Sequence, residues 1–182
     1  LSVWIQYEPY SFLRRDASFY ATITRGLADR GTLRAESLQP SSWYQGDHPQ
    51  YQDLDASWSN VSIGADGEWY PKHSFVMSTI AVPFYQLFGV DGLLLFNILG
   101  IVALLFSAYL LALPLVRGPP LIFAIILLGT GATFVDQTYQ FSSDVFSAAV
   151  VLVAFVCLNR RACLWAGFLF GMALWARPTL VI

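Results

Sequence analysis

The stretch Leu93–Val116, LLLFNILGIVALLFSAYLLALPLV, decides the fold: it runs for 24 residues without a formal charge. About 20 apolar residues in a helix cover the ~30 Å hydrocarbon core of a bilayer, so this segment is expected to cross a membrane. Toward the C-terminus, Pro119–Val135 is 17 uncharged residues, opened by two prolines that suit the start of a helix. Val145–Asn159 and Ala162–Ala176 are uncharged runs of 15 residues each. In lipid a backbone must satisfy its own hydrogen bonds, so all four runs are read as helices. With their flanks, the expected spans are 93–116, 119–135, 144–159 and 162–180, in an all-α polytopic membrane bundle.

Composition agrees. The chain has 182 residues, 56% hydrophobic and only 12% charged, with a mean hydropathy of +0.55. Soluble domains are about one quarter charged, and a disordered chain is far less apolar. A net charge of -2 without a basic stripe argues against nucleic-acid binding. Cys157 and Cys163 both lie in apolar runs, which suggests neither a disulfide framework nor a Cys-based metal site. Charge is also unevenly spread: 16 of the 22 charged residues precede position 92.

Basic residues orient the spans. Arg117 follows the first span and Arg160-Arg161 the third, whereas the connection Asp136–Asp144 (DQTYQFSSD) has two acids and no base. The positive-inside rule places the arginines in the cytoplasm and 136–144 outside. Residues 8–92 then form an outer loop. Within it, 16–31 reads as a short amphipathic helix, with Tyr20, Ile23 and Leu27 on one face. Residues 61–70 read as a hairpin turning at Ala65-Asp66-Gly67. Ser74–Phe88 is apolar but has only 15 residues and contains Pro83, so it is expected to lie in the outer interface. Residues 1–7 read as the end of a preceding span. Together with the apolar end at Leu180-Val181-Ile182, this suggests an internal piece of a longer multi-spanning protein, expected in the plasma membrane.

Topology gathers Asp16, Lys72, His73, Asp136, Asp144 and Arg177 at the outer face. Acids supply a general base and orienting groups, and a Lys or Arg at the interface can hold a phosphate. Such a set suits an anionic, partly lipidic substrate.

The run RDASFYATITRGLADRGTL at 15–33, followed by EWYPKHSFVMSTIAVPFYQLFG at 68–89, resembles the GT-C superfamily of membrane glycosyltransferases. The resemblance is to the branch with protein O-mannosyltransferases and lipid A aminoarabinose transferases. Those enzymes carry an Asp on an interfacial helix of the form D-x-x-x-Y, here Asp16 and Tyr20, and then a K-P/H-type segment before a helix ending in F-G. Their later pattern is similar to the 136–144 loop, Gly167, Gly171 and Arg177-Pro178. The resemblance implies transfer of a sugar, with inversion, from a polyprenyl-phosphate donor to a lipid, glycan or protein acceptor. It implies Asp16 as the base and Lys72 as the grip on the donor phosphate. Arg177 is a second candidate for the phosphate, and Tyr20, His73, Asp136 and Asp144 are candidate lining residues. Asp16 is followed by Ala17, where many relatives have Asp-Glu. No residues are assigned as metal ligands, and a divalent metal ion stays open as a cofactor.

Plainer roles stand beside these. Asp16 also fits a helix N-cap, and Asp144 a cap of the third span. Lys72 and Arg177 also fit interfacial anchors. His48 and His73 suit local hydrogen bonds better than a metal, having no second ligand at helical spacing. Gly167 and Gly171 suit close helix packing. Trp43, Tyr44, Tyr51 and Trp58 fit either interfacial anchoring or sugar stacking, and Asn60-Val61-Ser62 fits a glycosylation sequon. Two other function classes remain: a transporter or flippase for lipid-linked or anionic solutes, and a non-catalytic membrane subunit. A transporter would place ionisable residues at mid-membrane, and the four spans have none in their interiors.

Overall fold

In a computed structural model, the residues described are 16–34, 61–67, 69–71, 74–131, 137–138 and 140–177. They form six helices and one hairpin: α1 (Asp16–Arg30), β1 (Val61–Ile63), β2 (Trp69–Pro71), α2 (Val76–Phe88), α3 (Val90–Ala112), α4 (Pro119–Thr130), α5 (Ser143–Asn159) and α6 (Cys163–Ala176). The strands pair antiparallel, Val61 with Pro71 and Ile63 with Trp69, around a turn at Ala65-Asp66-Gly67.

Local chemistry sets the ends of these helices. The chain breaks between α2 and α3 at Gly89, whose φ of +61° is a conformation glycine adopts without penalty. The turn is tight enough that a Cβ built at Gly92 would sit 2.0 Å from the Phe84 carbonyl oxygen. α3 ends at Ala112, just ahead of Pro114, which cannot continue a helix. Pro119 opens α4. α4 stops at Thr130, within Gly129-Thr130-Gly131, rather than running to Val135 as expected. α6 stops at Ala176 rather than 180, because Arg177 precedes Pro178 and is held extended (φ −142°, ψ 90°). α5 is capped by Ser142, whose hydroxyl accepts the Asp144 N–H; Asp144 is therefore not the cap.

α5 lies against α6 and α3, α2 bridges α1 and α3, and α4 touches α3. The main core joins Phe19, Tyr20 and Ile23 of α1, Val76, Met77 and Ala81 of α2, Leu93 of α3, Phe141 and Phe146 beside the start of α5, and Ala173 and Ala176 of α6. The start of α3, the start of α5 and the end of α6 thus meet at one end of the helices, and α1 packs there. Phe96 ties this end together, with ring centroids 5.3 Å from Phe84, 6.0 Å from Phe141 and 5.9 Å from Phe146. Burying Phe141, which is 1% exposed, contributes about 1.5–3 kcal/mol.

Among the described residues one helix, the 23-residue α3, is long and apolar enough to cross a membrane. α4, α5 and α6 have 12, 17 and 14 residues. Much of their surface is nonetheless apolar and uncovered: Ile122, Phe123, Ile126 and Leu127 on α4, Phe155 on α5, and Leu164, Trp165, Phe168 and Trp175 on α6. Nothing lies within 4 Å of a Cβ built at Gly167 or Gly171, so neither glycine is a close-packing point among the described residues.

Candidate functional site

At the end where the core gathers, the first turn of α1, the start of α5 and the end of α6 converge. Tyr20 lies in α1 one turn beyond position 16, where the helix opens. It is 6% exposed, and its hydroxyl donates to Ser143 Oγ at 3.2 Å, joining α1 to α5. The Tyr20 carbonyl accepts two buried hydroxyls, Thr24 Oγ1 at 2.8 Å from its own helix and Ser78 Oγ at 3.1 Å from α2. Both donors are fully buried. Next to Ser143, the Asp144 carboxylate forms an ion pair with the Arg177 guanidinium at the end of α6.

The charges suit their positions. Asp144 stands in the first turn of α5, where free N–H groups favour an anion; Arg177 caps α6, where free carbonyls favour a cation. Both side chains are about half exposed, so the pair contributes no more than about 1 kcal/mol. The pair leaves a half-exposed guanidinium at the end of α6; such a fork of donors is of the kind that binds carboxylate or phosphate.

The structure thus brings together Tyr20, Asp144 and Arg177, three residues singled out from sequence. Lys72, His73 and Asp136 lie outside the described residues, as do 1–7 and the aromatic loop with Trp43, Tyr44, Tyr51 and Trp58. Asp16 is the first residue of α1. Lys72 directly follows β2, whose hairpin is tied to the chain after α1: Arg34 pairs with Asp66 at 3.7 Å, and the Tyr70 hydroxyl donates to Asp66 at 2.6 Å. That hydrogen bond to Asp66 raises the Tyr70 pKa above the usual phenol value. Among the described residues no cluster of three or more His, Cys, Asp or Glu side chains could hold a metal ion.

Sequence reasoning overlooked Ser143, Ser78 and Asn97. Asn97 is 3% exposed within the long apolar helix α3, and its amide donates to the Gln137 and Thr138 carbonyls at 2.8 and 3.0 Å. It pins the connection that leads into α5. A lone amide in a membrane-length apolar run was the available signal. Two buried polar atoms, Gln137 Oε1 and Ser147 Oγ, have no hydrogen-bond partner among the described residues. Comparisons with family models, curated proteins and solved structures find no match to this chain.

Proposed function

We propose that the chain is part of a multi-pass membrane glycosyltransferase that moves a sugar from a polyprenyl-phosphate donor to an acceptor at the outer face of the plasma membrane. The observation that carries this reading is the convergence of Tyr20, on the helix that Asp16 opens, with Ser143, Asp144 and Arg177. A carboxylate-bearing helix and a guanidinium then meet at one end of a bundle whose outer surface is largely apolar. In this reading α3 to α6 all cross the bilayer. α4, α5 and α6 fall short of ~30 Å at 1.5 Å per residue, which tilted neighbours, local thinning and flanking polar residues accommodate.

Asp16 takes the proton of the acceptor hydroxyl as its oxygen attacks the anomeric carbon. The bond from that carbon to the phosphate oxygen breaks on the opposite face, and the lipid phosphate leaves with the electron pair. Lys72 and Arg177 stabilise the charge growing on that phosphate, and Asp144 holds the Arg177 guanidinium in place. Fixing acceptor and donor in line supplies much of the acceleration.

The test is transfer of radiolabelled sugar from a polyprenyl-phosphate donor by the full-length protein in membranes. Asp16→Asn is expected to lower kcat by about 10²- to 10⁴-fold, the usual worth of a general base. Lys72→Met is expected to raise the donor KM. Wild-type kinetics in Asp16→Asn would overturn the base, and unchanged donor kinetics in Lys72→Met would remove the phosphate role.

A further inference from the structure

We infer that Ser143 and Ser78 are positioning residues, acting through Tyr20 to hold the helix that begins at Asp16 in fixed register with the Asp144–Arg177 pair. This inference rests on the glycosyltransferase reading for its catalytic meaning, but its geometry stands apart from it. Tyr20 is a junction of three helices: its hydroxyl reaches α5 through Ser143, and its carbonyl receives Ser78 from α2 as well as Thr24 of its own helix. Phe19, Ile23, Met77, Phe146 and Ala173 lie in the same apolar core. Apolar packing is non-directional and tolerates small slips, whereas a buried hydroxyl that loses its partner is penalised for every slip. The two serines therefore set where α1 sits along α5 and α2, and so how far position 16 stands from the rim that carries Arg177.

Rotation or translation of α1 by about 1 Å would misplace a base at its first turn, and misplacement on that scale costs on the order of 100-fold in rate. Donor binding, which falls to Lys72 and Arg177, would change little. The signature of positioning is thus a loss in kcat with the donor KM preserved, and recovery when a hydroxyl is restored in the same place.

The experiment uses the full-length protein with Cys157 and Cys163 replaced by serine, and spin labels on cysteines at the exposed positions Asp29 of α1 and Ala148 of α5. Tyr20→Phe and Ser143→Ala are each expected to broaden the α1–α5 distance distribution and to lower kcat by roughly 10- to 100-fold without moving the donor KM. The double variant is expected to be no worse than either single one, because both remove the same bond. Ser143→Thr is expected to restore both readouts, and Ser78→Ala, which keeps the Tyr20 hydroxyl, is expected to reproduce the loss from the α2 side. An unchanged distance distribution in Tyr20→Phe and Ser143→Ala, or additive losses in the double variant, would overturn the inference. Broadened distances in a protein whose wild type transfers no sugar would overturn the glycosyltransferase reading and leave the positional role standing.

Discussion

Gly92 shows how much one missing methyl group decides. With the Phe84 carbonyl oxygen 2.0 Å from where a Cβ would stand, and both partners on backbone, no side-chain rotation relieves the clash. Gly92→Ala is expected to destabilise the protein by about 1–3 kcal/mol, and more if the turn at Gly89 cannot open. A thermal melt in detergent would read this, and a melting temperature equal to wild type would contradict the tight corner. Tyr70 gives a pH signature at the same scale. Its pKa is raised, first by the hydrogen bond to Asp66, so the contribution of this contact is fully present below the ordinary phenol pKa. It is lost as pH climbs through the higher folded value. In a tyrosinate absorbance titration, the difference between wild type and Tyr70→Phe should show a late-titrating phenol, and Asp66→Asn should bring it back toward its usual range.

Among the elements, α3 packs against α2, α4 and α5 and carries a residue of the wrong polarity for its surroundings. Asn97 spends both amide hydrogens on consecutive carbonyls, at Gln137 and Thr138. Asn97→Leu would leave those carbonyls short of donors, at a cost of about 1–3 kcal/mol. The expected result is faster hydrogen exchange and easier proteolysis around 137–144, with the middle of α3 unaffected; equal exchange in both regions would contradict the anchoring role. Element ends followed rules visible in the sequence only where the punctuation was strong. α1 and the hairpin came out close to expectation because Asp16, Gly31 and Ala65-Asp66-Gly67 are unambiguous signals. α4 is shorter than its uncharged run predicts, because the apolar sequence Ala132 to Val135 hides the Gly129-Thr130-Gly131 stop. α6 is shorter than the expected 162–180 because the residue before Pro178 is steered out of the helical region.

For the molecule as a whole, the presence of α3 to α6 is legible from the uncharged runs. The partner of each buried hydroxyl is not, because Ser143 and Ser78 meet Tyr20 across 123 and 58 residues of sequence, and no local period encodes such pairings. Asp144 and Arg177 were both singled out, yet their pairing needed the packing of α5 on α6 to become visible. The proposed arrangement predicts that, in intact cells, an impermeant thiol reagent labels a cysteine placed at Gln140 but not one placed at Arg160. Labelling of Arg160→Cys alone would invert the bundle and put the candidate site on the cytoplasmic side. The α5–α6 pair has one more consequence. Two greasy cylinders with few polar landmarks have many nearly equivalent staggers and could slide past one another by a turn. The turn at Arg161, with its φ of +61°, fastens them at one extremity, and the Asp144–Arg177 contact fastens them at the other. With both extremities fastened, a displacement of ~5.4 Å would break the far clasp, so a weak surface contact acts as the vernier mark that selects one alignment.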